Sequence, residues 1–144
     1  MKLLDYDTED KFDYENGFYL TSSVSRLGKL ITHYEFYKMI KDLPGDIVEF
    51  GVFKGVSLVK WATFRELFEN TYSRKVIGFD IFGKFPETSF KGDVHHRDVF
   101  MKDAGESGIS IKDLEKVLEY KQLKNIELVK GDILKTAPKY LNDN

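Results

Sequence analysis

The chain has 144 residues, of which 42% are apolar and 15% aromatic, a length that suits one domain of about 100–200 residues and a composition that packs a core rather than staying disordered. Its 22 basic and 24 acidic side chains nearly cancel, and no basic block stands out, so neither nucleic acid nor an anionic membrane finds an electrostatic footprint here. Cysteine is absent, which removes disulfides, thiolate catalysis and cysteine-based zinc sites; no apolar run approaches the ~20 residues of a bilayer span, and the acidic start is no signal peptide, so a cytoplasmic location is expected.

No internal repeat or low-complexity linker divides the sequence. The opening residues, "MKLLDYDTEDKFDYENG", are acid-rich and weakly patterned and read as a mobile arm over residues 1–20. From Ser22 to Lys41 the apolar residues Val24, Leu27, Ile31, Tyr34 and Tyr37 recur at helical steps, with Thr21, Ser22 or Ser23 as cap, and "LPG" (Leu43 to Gly45) ends the helix. "DIVEFGV" is a short buried strand, followed by a helix from Gly55 to Asn70 with Leu58, Ala62 and Phe68 facing inward. "KVIGFDIF" is a second buried strand. Gly83 to Gly108 reads as a long charged loop with room for one helical turn. Ser110 then caps a helix with Asp113 three residues on and Leu114, Val117, Leu118 and Leu123 on one face. "NIELVKGD" is a third strand, and "TAPKYL" begins a helix with Thr136 as cap and Pro138 in its first turn.

Apolar strands that do not alternate, joined by helices, predict an α/β fold: a Rossmann-like parallel sheet with flanking helices, over residues 21–144. Three strands make a poor sheet, so the segment reads as the front part of a larger domain. Ligands of such sheets sit at the carboxyl ends of the strands, where Glu49 to Gly55, Asp80, and Gly131 with Asp132 fall. The loop has no Gly-Lys-Ser/Thr and no G-x-G-x-x-G; its spacing is E-x-G-x-x-x-G, and a leading carboxylate would repel a pyrophosphate. Gly51 and Gly55 would let the backbone approach a ligand, while Glu49 asks for a cation or several donors. Asp80 is placed to accept both hydroxyls of a ribose, and Asp132 to accept from an adenine amino group. The alternatives are a tight structural turn for the glycines, a cap or loop acid for Asp80, and ordinary turn chemistry for Asp132. A ribose, a purine and an ammonium beside a carboxylate satisfy all three acids together, and S-adenosylmethionine is that ligand.

On "LPGDIVEFGVFKGVSL", "VIGFDIFGKFPE" and "IELVKGDILKTAPKYL" the sequence resembles the macrocin O-methyltransferase family, with Pro44, Gly45, Asp46, Glu49, Gly51, Val52, Gly55 and Ser57, then Asp80, Phe82, Gly83 and Pro86, standing at its motif positions. The likeness reaches back to "TSSVSRLGKL" and covers most of the chain after Gly17. Val56 stands where relatives carry a further glycine, and Phe82-Gly83-Lys84-Phe85-Pro86 departs from the usual Phe-Glu-Gly-Phe/Met-Pro. The resemblance implies S-adenosylmethionine-dependent methylation of a hydroxyl on a small-molecule sugar or glycoside, by a cytoplasmic protein that binds neither nucleic acid nor membrane and that is open to homo-oligomerisation. It assigns Glu49 to the methionine ammonium or a neighbouring water, Gly51, Val52, Phe53, Gly55 and Ser57 to methionine and ribose, and Asp80 to the ribose diol. Asp132 and Ile133 would meet the adenine, with Phe82 flanking it; Arg26 would reach the cofactor carboxylate or simply face solvent from its helix, and Thr21 or Ser22 would close the site. Relatives hold Mg²⁺ on an Asp-x-Asp motif beyond a fourth strand, so no metal ligand is expected in these residues.

His95 and His96 with Asp93 and Asp98 invite a metal reading, but a solvated or lid loop fits their spacing better. Tyr34 and Trp61 are expected to pack, His33 shares the early helix, and Phe79, Phe82 and Phe85 are mostly core. The Lys and Glu run from Lys112 to Lys124 is a solvated helix face. Two other functions compete: a non-catalytic nucleotide-binding module of the same fold, and an NAD-dependent oxidoreductase, which the missing G-x-G-x-x-G disfavours.

Overall fold

A computed structural model describes residues 1–87 and 90–143. The elements run β1 (Lys2–Leu3), β2 (Tyr6–Asp7), a 3-10 turn (Thr8–Asp10), α1 (Lys11–Thr21), α2 (Val24–Ile40), β3 (Ile47–Phe50), α3 (Val56–Phe68), β4 (Val76–Asp80), α4 (Lys91–Ala104), α5 (Ile111–Tyr120), β5 (Ile126–Lys130) and α6 (Ile133–Asp143). Strands β3, β4 and β5 form a parallel sheet with β4 in the middle, pairing Ile47 with Val76 and Val76 with Ile126. The strand "VIGFD" has no polar residue before its last position, which is what a strand flanked on both edges and both faces requires. The expected α/β fold, a parallel sheet with flanking helices, is therefore the observed one.

The two-residue period of the strands sorts the faces. Ile47, Glu49, Val76, Gly78, Ile126 and Leu128 share one face by register, and it is this face that meets the main core of Tyr37, Leu58, Ala62, Phe64, Leu114 and Leu118. On the other face Phe50 lies against Phe79 at 5.2 Å, and Tyr140 of α6 meets Phe79 edge-on at 5.4 Å. Gly78 permits the close approach of α3: a Cβ there would come within 2.7 Å of Leu58 and 2.8 Å of Val52.

The amino-terminal ends of the strands are tied by two buried guanidinium groups. Arg65 donates to the carbonyls of Arg74, Asn125 and Lys124 and pairs with Glu66. Arg74 donates to the carbonyls of Gly45, Ile40, Lys41 and Leu43 and pairs with Glu69 at 2.9 Å. Glu69 also accepts from the Tyr37 hydroxyl, whose pKa burial and this carboxylate push far up. Backbone carbonyls stranded at loop ends thus find donors, and the whole network sits at the end of the sheet opposite the strand tips.

Five elements differ from their sequence reading. The expected arm contains the β1–β2 hairpin and α1, a helix without a buried residue that a search for apolar periodicity passes over. The inward stripe of α2 is rotated: Leu30, Tyr34, Tyr37 and Ile40 meet the core, whereas Val24 and Ile31 are exposed. The expected loop from Gly83 to Gly108 contains α4, which Gly105 ends at φ +90; His95, His96, Asp93 and Asp98 therefore lie on a helix, and Thr88 and Ser89 of that stretch lie outside the described residues. Helix α6 starts at Ile133 rather than Thr136, because Asp132 accepts from the Leu134 amide and its carbonyl from those of Lys135 and Thr136. Pro138 consequently sits inside the helix. In α3 the inward residues are Leu58, Ala62 and Phe64, whereas Phe68, at the last turn before the helix ends, is 44% exposed; the α5 reading holds, with Ser110 accepting from the Asp113 amide at 3.1 Å and donating to its carboxylate at 2.8 Å.

Candidate functional site

The tips of β3, β4 and β5 are knitted by short polar contacts. The Gly51 amide donates to the Phe79 carbonyl, and the Gly131 amide to the Asp80 carbonyl, extending both ladders past the strands. Asp80 then clamps two loops, accepting from the Phe53 amide at 3.0 Å on one oxygen and from the Phe82 amide at 2.7 Å on the other. Phe53 and Phe82 both adopt positive φ, near +51 and +53, where a side chain costs strain, and the shared carboxylate holds both there. Each carboxylate oxygen accepts one of these bonds and has capacity for another, and Asp80 lines a cavity, so the clamp leaves it able to accept from a ligand.

Glu49 answers why a carboxylate interrupts an apolar strand. It points to the helical face, where one oxygen accepts from the Ser57 hydroxyl at 2.7 Å and Trp61 lines the same cavity. The second oxygen is buried with no hydrogen-bond partner among the described residues. Burial raises the Glu49 pKa above its usual value; the bonds from Ser57 and Trp61 and the charge of Lys29 oppose that rise, and the charge of Asp80 adds to it. An orphaned buried carboxylate oxygen is costly unless a donor arrives, and a cationic donor from a ligand satisfies both its hydrogen bond and its charge.

Three cavities meet at Gly51, which borders each of them. One, of about 400 Å³, is lined by Asp80, Ile81, Phe85, Pro86, Phe100, Asp132 and Ile133. A second, of about 470 Å³, holds Glu49, Ser57 and Trp61. The third, of about 540 Å³, holds Arg26, Lys29, Val52, Phe53, Ser57 and Lys60. A Cβ on Gly51 would meet nothing within 4 Å, and its φ of +86 favours glycine; the backbone here is bare toward open space. An elongated ligand laid across Gly51 reaches the Asp80–Asp132 cavity at one end and Glu49 at the other.

The structure separates the sequence-predicted site residues into three groups. Asp80, Asp132, Ile133, Phe53 and Gly51 share one cavity, and Glu49, Ser57 and Arg26 line the neighbouring ones. Gly55 does not face a ligand: a Cβ there would strike Leu114 at 2.8 Å, so its glycine serves helix packing and a φ of +79. Phe82 is 4% exposed and belongs to the core rather than flanking a base, and Val52 packs there too while bordering the third cavity. Thr21 ends α1 with its hydroxyl given to the Gly17 carbonyl, and Ser22 caps that helix; neither lines these cavities. Sequence reading missed the aromatic wall, in which Phe53, Phe85 and Phe100 stand 5.4–5.5 Å apart. The "GKFP" that follows the second strand was its available signal for Phe85; Phe100 had none, since it arrives on α4. Among the described residues no group of three or more His, Asp and Glu could hold a metal ion, so the Mg²⁺ implied by the resemblance finds no ligand set among them. No helix among the described residues is long and apolar enough to cross a membrane.

No protein-family model matches the chain, and no curated sequence matches it. Solved structures do. CalS11, described as the calicheamicin methyltransferase, superposes with a TM-score of 0.67 at 25% identity, over 99% of this chain and 58% of that one. An apo structure of CalS11, described as a TDP-rhamnose 3'-O-methyltransferase of calicheamicin biosynthesis, gives 0.57 at 27% identity over 96% of this chain and 53% of that one. The O-methyltransferase NovP gives 0.61 at 20% identity over 81% and 48%, a likeness of fold. The chain thus has the fold of these O-methyltransferases along its own length and spans between 48% and 58% of theirs.

Proposed function

We propose that these residues form the cofactor-binding portion of an S-adenosylmethionine-dependent O-methyltransferase of the macrocin O-methyltransferase type, acting on a sugar hydroxyl. The observation that carries this reading is the orphaned oxygen of Glu49, set across the bare Gly51 backbone from the Asp80–Asp132 cavity. The methionine ammonium supplies the missing donor to Glu49, the ribose diol fits the remaining lone pairs of Asp80, and the adenine fits between Ile133 and the wall of Phe53, Phe85 and Phe100. The likeness to two structures of CalS11 supports both the reaction class and a sugar acceptor.

The cofactor supplies an activated methyl group, and its transfer to oxygen is an in-line displacement. What this chain contributes is placement: the Asp80 clamp fixes the two loops on either side of the ribose, and Glu49 with Ser57 fixes the amino-acid end. None of the residues lining these cavities is assigned as the general base.

Calorimetry with S-adenosylhomocysteine tests the reading. Saturable binding is expected, and Asp80→Ala should weaken it roughly tenfold to a hundredfold, the scale of a lost charged hydrogen bond with its clamp. No saturable heat at millimolar ligand rejects the cofactor. Binding of NAD(H) instead would favour an oxidoreductase, and cofactor binding without turnover on any glycoside would favour a non-catalytic module.

A further inference from the structure

Phe53 is fixed more firmly than a connecting loop requires. Its φ of +51 is a strained conformation for a bulky side chain, and contacts on both sides hold it there. The Phe53 amide donates to Asp80 at 3.0 Å, and the Phe53 carbonyl accepts from the Ile109 amide at 2.6 Å. Gly108 packs against that same carbonyl: a Cβ there would come within 2.9 Å of its oxygen and 3.4 Å of its carbon, backbone atoms that cannot swing aside. Gly108 has no positive φ, so close approach alone calls for glycine. Lys54 adds a third tether, donating to the Ser107 carbonyl at 2.6 Å with its ammonium 5.1 Å from the centre of the Phe53 ring. The same segment is laced to the loop after β4, where the Phe85 amide donates to the Glu106 carbonyl at 3.0 Å and the Gly108 amide to the Gly83 carbonyl at 2.8 Å. Three loops distant along the chain thus converge on one residue.

The place where they converge is the middle of the ligand path. Gly51 and Phe53 border both the Asp80–Asp132 cavity and the cavity that holds Ser57 and Arg26. In S-adenosylmethionine the sulfur joins the adenosine to the methionine, so a ligand with its adenine beside Ile133 and its ammonium on Glu49 carries the sulfur past this junction. A shift of the Phe53 backbone would move the seat of both halves and of the sulfur between them. Methyl transfer depends on that placement, since a misplacement of about 1 Å costs a reaction of this kind about a hundredfold.

We infer that Lys54 and the segment from Ser107 to Ile109 are positioning residues for the methyl donor, acting through the backbone and ring of Phe53. The inference rests on the methyltransferase reading and deepens it, because it gives a task to a stretch that carries none of the acids or glycines of the strand tips. Sequence reading left this stretch at the end of a charged loop, where Gly108 looked like an ordinary turn residue.

Calorimetry on the full chain compares S-adenosylhomocysteine with methylthioadenosine, which keeps the adenosine and the sulfur but lacks the amino-acid end. Gly108→Ala, which drives a Cβ into the Phe53 carbonyl, should weaken both ligands by the same factor, about tenfold or more. Lys54→Met removes the donor and the cation from an exposed position; it should weaken both ligands about threefold or more and leave the urea-unfolding midpoint nearly unchanged. Lys54→Arg keeps donor and cation and should restore both affinities. A side chain that only stabilised the fold would move the midpoint and not the affinities. Circular dichroism reports whether Gly108→Ala is folded, and the two lysine variants decide the matter if it is not. Variants that bind both ligands as tightly as the wild type overturn the inference. A loss confined to S-adenosylhomocysteine overturns it too, because the effect would then lie at the methionine end and not at Phe53. Wild-type protein that ignores S-adenosylhomocysteine sinks the methyl-donor reading itself, and this inference with it.

Discussion

At the scale of single residues, Glu49 is the side chain on which stability and binding conflict. Burial holds its carboxyl above the ordinary value of 4.5, so the folded chain keeps this proton after the unfolded chain has lost it. The sign follows from proton linkage: this residue's contribution is most favourable below pH 4.5, declines as pH rises through the raised folded value, and stays unfavourable above it. Glu49→Gln removes that decline. Melting curves should show the variant gaining on the wild type as pH rises above 4.5, while its affinity for S-adenosylhomocysteine drops about tenfold or more. Parallel melting profiles above pH 4.5 would mean that burial does not govern this carboxyl. The position itself was legible in the sequence, as an acid inside an apolar strand just before a glycine. That its second oxygen lacks a partner was not, because the Ser57 hydroxyl that holds the first comes from another element.

At the scale of elements, the close seating of α3 on β4 sets where the Gly51-to-Gly55 loop emerges. Gly78 is the pivot, with Leu58 and Val52 pressed where its Cβ would stand. Gly78→Ala overpacks this contact and should cost about 1–3 kcal/mol in urea unfolding, since the surrounding side chains are buried. A neutral result would show that Leu58 and Val52 yield by rotamer change alone. Helices with strong amphipathic spacing, such as α5 with its Ser110–Asp113 cap, were readable from their own residues. Helices α1 and α4 were not, since no residue of α1 is buried and His95, His96 and the acids of α4 read as solvated loop. Cap position was likewise misjudged in α6, where Asp132 captures the first turn four residues before Thr136 can.

At the scale of the molecule, the two ends of the sheet have different work. Buried Arg65 and Arg74 tie the amino-terminal end, and the strained, acid-bearing loops occupy the other. The sheet is also uneven from edge to edge. Among the described strands β3 pairs with β4 alone, and Val48 and Phe50 on its outer face remain 46% and 56% exposed. An edge strand with exposed apolar side chains invites further pairing. This chain should therefore bind a hydrophobic dye and self-associate at micromolar concentration, and Phe50→Lys should reduce both with an unchanged circular dichroism spectrum. Monodisperse, dye-silent wild-type protein would show that the edge is protected by other means.

The sequence by itself determined the parallel α/β architecture, the three strand tips, and the acids and glycines that stand on them, because strand burial and turn chemistry are written in neighbouring residues. Only the tertiary structure decided what those residues do. It turned Gly55 toward Leu114 and Phe82 into the core, put the Asp80 carboxylate across two loops, and placed Glu49 on the far side of Gly51 from Asp132. The physical reason is that direction and partnership are set by packing between elements distant along the chain, and one-dimensional spacing carries no record of which element arrives opposite.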